Sequence, residues 1–183
     1  MIAPRDTYAR LARLPSAIGP VAALRRPLVA AIALGVSVAI AGTGHVTPVL
    51  VLSAIACWSL VIAIQAAIAI AVIAGPAQRT VGLPRAFDLF FASHVPWSLW
   101  FLAIAAWAPS PLGRPMTPAL VAALAPLVLT PRIIAAFFRE VLEMDPRHAR
   151  VRTAIHQTIT WLVFLAIAGW AIALPPRVIE WLG

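Results

Sequence analysis

The chain of 183 residues is 62% apolar and only 11% charged, whereas an ordinary soluble chain is about half apolar and about a quarter charged. One small core cannot hide that much apolar surface from water, so the composition excludes an ordinary soluble globular protein and calls for lipid as the solvent. The single cysteine, Cys57, excludes a disulfide framework and a cysteine-based metal site, and the net charge of +8 rests on arginine alone, because the chain has no lysine. It has no asparagine either. Both missing residues have AT-rich codons, which fits a GC-rich bacterial source.

Residues 1–27 read as a basic cytoplasmic arm with Arg5, Arg10, Arg13, Arg25 and Arg26. Tyr8, Leu11 and Leu14 recur at helical spacing beside Arg10 and Arg13, which suits either a short interfacial helix on an anionic leaflet or a disordered basic arm. Pro15 and Pro20 end the pattern. The arginines followed by an apolar run and the small residues Ala39 to Ala41 resemble a signal peptide, but an arm this long is expected to stay on the protein.

A spanning helix needs roughly 20 apolar residues to cross a hydrocarbon layer about 30 Å thick. Five runs meet that need: Leu28 to Val46, Val49 to Ala74, Phe87 to Trp107, Pro118 to Phe138 and Ile155 to Leu174. The expected fold is therefore all-α, a polytopic integral membrane helical bundle of five transmembrane helices over residues 28–174, with residues 175–183 a short outer tail. Thr47-Pro48, Thr117-Pro118 and Asp145-Pro146 each place a capping oxygen before a proline at the first helical position. The repeated TPVLV and TPALV strings follow from the same capping chemistry. Eleven arginines fall in the arm and the links after the second and fourth runs, against Arg114 and Arg177 on the other side. By the positive-inside rule the N-terminus is inside and the C-terminus outside, in a bacterial cytoplasmic membrane.

Ionisable groups within spans are functional candidates because a charge in lipid is costly. Asp88 and Arg132 fall at compatible depths and are expected either to pair between the third and fourth helices or to reach the headgroups separately. In the second helix Ser53, Cys57 and Gln65 are spaced by multiples of four and are expected to hydrogen-bond across a helix interface.

The third run, FDLFFASHVPWSLWFLAIAAW, carries His94, Pro96, Trp97, Ser98 and Trp100. Pro96 has no N–H for the carbonyl of Ala92, so a kink is expected there, with a polar face of His94 and Ser98 turned to protein. His94, Trp97, Trp100 and Trp58 are candidates either for a bound ligand or for packing. Axial haem ligation wants a second histidine at equal depth, and counted from the start of its apolar run His156 lies roughly 10 Å shallower than His94. No cofactor and no metal are therefore expected. The acidic patch Glu140, Glu143, Asp145 beside His148 lacks metal-ligand spacing, no catalytic signature occurs, and the chain is read as non-enzymatic.

Three stretches, LARLPSAIGPVAALRRPLVAAIAL, RAFDLFFASHVPWSLWFL and REVLEMDPRHARVRTAIHQ, cover a proline-punctuated arm, a polar-then-proline third helix and a basic link. In these the chain resembles the Yip-domain family, the Ypt/Rab-interacting five-helix membrane proteins and their bacterial relatives. The resemblance implies a non-enzymatic membrane organiser that assembles with other membrane proteins, as a homo- or hetero-oligomer. The alternatives are an accessory subunit of a respiratory or photosynthetic complex docking lipid, quinone or pigment, and a small permease. The basic face of Arg10, Arg13, Arg147, Arg150 and Arg152 is expected to meet anionic lipid, with no nucleic acid among the partners.

Overall fold

The computed structural model describes residues 4–14, 18–43, 47–107 and 117–182. These form helices throughout: α1 (Pro4–Arg13), α2 (Pro20–Ala23), α3 (Arg25–Thr43), α4 (Pro48–Arg79), α5 (Leu83–Ala92), α6 (Val95–Trp107), α7 (Thr117–Ala122), α8 (Leu124–Glu140) and α9 (Pro146–Leu182). No strand occurs among the described residues.

Two of the expected caps are made. Thr47 accepts the backbone N–H of Leu50 at 3.3 Å, and Asp145 accepts those of Arg147 and His148 at 2.9 and 3.2 Å. Each satisfies donors that have no partner in a first helical turn.

Three helical stretches are long and apolar enough to cross a membrane: Pro20–Ser37, Pro48–Arg79 and Leu120–Glu140. A fourth follows if α5 and α6, bent by 42° at their junction, count as one span. The first of these begins before the expected run, since α3 already starts at Arg25. The fifth expected run, 155–174, lies within α9, which continues through the expected tail to Leu182; the side chains of residues 168 and 170–183 lie outside the described residues. Val46 and Arg114 lie outside them too.

Large apolar side chains face outward along these helices. Leu52 and Leu60 on α4, Leu124 on α8 and Leu162 and Leu165 on α9 are each more than half exposed. An apolar surface this extensive is compatible with a membrane protein and uncharacteristic of a soluble one.

The interior is densest where α5 packs against the ends of α1, α8 and α9. Phe90, Phe137, Phe138 and His156 are fully buried, with the Phe90 ring 5.5 Å from Phe137 and 4.9 Å from His156. α1 is a helix docked on protein. Tyr8 is 4% exposed, packs edge-on to Phe137 at 5.8 Å, and donates its hydroxyl to the carbonyl of Leu89 at 3.2 Å. Burial raises the phenol's pKa above its ordinary value, outweighing the lowering pull of Arg26, so it persists as a donor. Arg85 adds a second tie to α1, through the carbonyl of Leu11 at 3.1 Å. Arg10 and Arg13 remain exposed on the opposite face.

α3 and α4 cross at Gly35. A Cβ there would lie 2.5 Å from Cα and 2.6 Å from N of Ile55, so only glycine lets the two backbones meet. Close approach through small residues is a common device for helices that must pack in lipid.

Candidate functional site

The third apolar run does not form one kinked helix. α5 ends at Ala92, Ser93 and His94 make a turn, and α6 starts at Val95. Pro96 therefore sits in the first turn of a new helix, where its missing N–H leaves no helical bond unmade. The bend expected between Ala92 and Pro96 is present, 42° between α5 and α6, as a break at Ser93 and His94 and not as a kink within one helix. In that turn the Ser93 hydroxyl donates to the carbonyl of Phe90 at 2.6 Å, and His94 Nδ1 lies 3.2 Å from Ser93 Oγ. Because the one hydroxyl proton of Ser93 goes to Phe90, Nδ1–H is assigned as the donor to Ser93, leaving the lone pair on Nε2.

His156 is beside it. The two imidazole centroids are 5.8 Å apart, with the rings at 73°. The expected depth difference does not exist, because both helices begin before their apolar runs. His94 is eleven residues from the first residue of α5 and His156 ten from that of α9, about 16 and about 15 Å at 1.5 Å per residue. His156 is fully buried, and neither of its ring nitrogens has a hydrogen-bond partner among the described residues.

Next to His94 lies a cavity of about 350 Å³, within the roughly 300–1,000 Å³ range of small-ligand pockets. Trp97 and Trp100 of α6 and Trp161 of α9 line it, with Trp97 and Trp161 edge to face at 5.5 Å. Gln65, Ser98 and Thr130 contribute polar groups. Thr130 is fully buried and its hydroxyl, like that of Thr160, has no partner among the described residues. Trp58 is absent from this wall and packs, half-buried, 6.5 Å from Phe164.

The expected stripe on α4 divides. Gln65 faces the cavity while Ser53 and Cys57 are exposed. Steps of four drift by about 40° each on a helix of 3.6 residues per turn, so the twelve residues from Ser53 to Gln65 turn the direction by about 120° and take the two side chains to different faces.

The expected Asp88–Arg132 pair is also corrected. Asp88, 7% exposed on α5, accepts from Arg26 Nε at 2.7 Å and lies 4.0 Å from Arg85. Arg132 is exposed on α8. Because α3 begins at Arg25, the guanidinium of Arg26 is carried to the depth of Asp88 by a neighbouring helix. Arg25, Arg26, Arg85 and Asp88 line a second recess, of about 670 Å³, that also reaches His94.

Of the expected lipid-facing arginines, Arg147 and Arg150 are exposed, and Arg150 donates to the carbonyl of Pro146 at 3.1 Å. Arg152 instead turns inward and donates to the carbonyl of Val72 on α4. That carbonyl is unserved by its own helix, because the residue four positions on is Pro76, inside α4. Among the described residues no group of three or more His, Cys, Asp and Glu could hold a metal ion.

Set beside protein-family models, curated proteins and solved structures, the chain matches none.

Proposed function

We propose that this protein is a non-enzymatic, five-span integral membrane protein of a bacterial cytoplasmic membrane, N-terminus inside and C-terminus outside. It organises membrane partners, its own copies among them, through helix–helix contacts in the manner the Yip-domain resemblance implies. The observation that supports this most is the pairing of a close-packed interior, with α3 on α4 at Gly35, and outward apolar faces on α4, α8 and α9. In lipid such faces associate by dispersion packing and a few hydrogen bonds, since the surrounding chains are equally apolar. Native mass spectrometry of the protein extracted gently from its own membrane tests the reading. A homo-oligomer or a defined partner set is expected; a monomer that resists crosslinking in the membrane overturns it.

The cavity favours a second reading, an accessory subunit that docks lipid, quinone or pigment. Aromatic walls with a few unpartnered polar groups are the usual make-up of a small-molecule site. An absorption spectrum and organic extract of the same preparation separate the two: a stoichiometric chromophore or quinone supports this reading, and a colourless extract of bulk lipid removes it.

A further inference from the structure

We propose that the arginine-lined recess and the aromatic cavity are one binding site, and that its occupant is an anionic phospholipid. The phosphate sits among Arg25, Arg26 and Arg85, and one acyl chain lies between Trp97, Trp100 and Trp161. The proposal shares its cavity with the second reading above but needs no larger complex, and it adds a headgroup site to the organiser reading.

Three observations carry it. The recess and the cavity adjoin, since Ala30, Phe91, His94 and Ser98 line both. Their chemistry changes from one end to the other along a single stripe of α3: Arg26, Ala30, Ala33 and Leu34 follow at helical spacing, the first two on the recess and the last three on the cavity. Arg26 to Leu34 is about 12 Å at 1.5 Å per residue, the scale on which a phospholipid passes from phosphate to hydrocarbon. The charge balance also favours an anion. Three guanidinium groups line the recess against one carboxylate, Asp88, and the Arg26 side chain is still 45% exposed while bonded to it.

The cavity end carries polar groups as well as apolar walls. Thr130 is ten residues from the end of α8 at Glu140, about 15 Å and so close to the depth of His94. It lines the cavity and presents a fully buried hydroxyl with no partner among the described residues. This is a site for one molecule, distinct from the diffuse attraction of Arg147 and Arg150 for an anionic surface.

The test uses the full chain, delipidated in detergent and titrated with phosphatidylglycerol carrying a brominated acyl chain. Tryptophan fluorescence reports chain entry and native mass spectrometry reports stoichiometry. Saturable quenching at one lipid per chain is expected, with phosphatidylcholine of the same chains several-fold weaker. Arg25→Gln should weaken phosphatidylglycerol about fivefold, from the ~1 kcal/mol of one basic residue at a lipid surface, and leave phosphatidylcholine unchanged. Ala33→Phe should abolish saturable quenching by filling the chain cavity. Inorganic phosphate should not displace the lipid at millimolar concentration. Equal binding of the two lipids, an unaltered Arg25→Gln variant, or displacement by free phosphate overturns the proposal. The oligomer measurement above is independent of each of these outcomes.

Discussion

The imidazoles of His94 and His156 meet edge to face with centroids 5.8 Å apart, one pinned through Ser93 and the other fully buried with both nitrogens unpartnered among the described residues. A buried polar group left without a hydrogen bond destabilises a fold by about 1–3 kcal/mol. Replacing His156 by leucine removes that penalty and keeps an apolar body against Phe90. We expect His156→Leu to raise stability by about 1 kcal/mol or more, read as a higher midpoint of detergent-based unfolding. A lower midpoint would show that the nitrogens of His156 are engaged.

Arg152 and Pro76 are coupled across two helices, because one supplies the donor that the other withholds from Val72. Arg152→Met should destabilise by about 1.5–3 kcal/mol, the range for a hydrogen bond to a charged group. In a Pro76→Ala background the restored N–H serves Val72 within α4, so the same substitution should then have little effect. Additive losses in the double-mutant cycle would refute the coupling.

How much of this was legible in the sequence follows from which side chains depend on distant neighbours. Helix existence and the Thr47 and Asp145 caps rest on local chemistry, and all were readable. So was the rule that a proline frees the carbonyl four residues back. Pro96 falls in the first turn of α6, and the freed carbonyl served by a distant donor lies before Pro76. The donor, Arg152, is eighty positions from Val72, and nothing local announces it. The apolar run beginning at Leu28 leaves Arg26 in the arm and makes Arg132 the depth match for Asp88; three more residues of helix bring Arg26 to it. The His94–His156 contact is hidden for the same reason, since the apolar runs begin later than the helices and misplace the two depths.

Gly35 and Gly75 make a controlled pair. A methyl at Gly35 overlaps the backbone of Ile55, whereas one at Gly75 meets nothing within 4 Å. Gly35→Ala should therefore destabilise by about 1–3 kcal/mol through overpacking. Gly75→Ala, inside α4, should stabilise by up to about 1 kcal/mol through helix propensity. Thermal midpoints of the two variants in one detergent check both signs, and equal shifts would mean that α3 and α4 do not cross at Gly35.

Asp88 should prove indispensable to how the arm end is held, because it is the acid on which Arg26 of α3 and Arg85 of α5 converge, and Arg85 in turn holds α1. Removing one partner from a buried ion pair typically destabilises by about 3–5 kcal/mol, reduced here because Arg26 remains half exposed. Asp88→Asn should speed proteolysis within residues 4–14 before it affects the rest of the bundle, whereas Arg132→Gln should leave cleavage unchanged. The reverse pattern would restore Arg132 as the partner.

The start of α9 should respond to acid through Asp145. Hydrogen bonds from the His148 ring, then from the backbone of His148 and Arg147, hold this carboxyl below its ordinary value of 3.8. A depressed carboxyl pKa means that the ionised form belongs to the folded helix start, so its contribution is complete above the ordinary value and lost as pH falls through the lowered one. Protection of the Arg147 and His148 amides, corrected for intrinsic exchange, should stay level down to about pH 4 and fall below it. Asp145→Asn keeps an acceptor oxygen but no titrating group, so its profile should be flat over the same range. A fall of equal size in that variant would place the acid response elsewhere than at the cap.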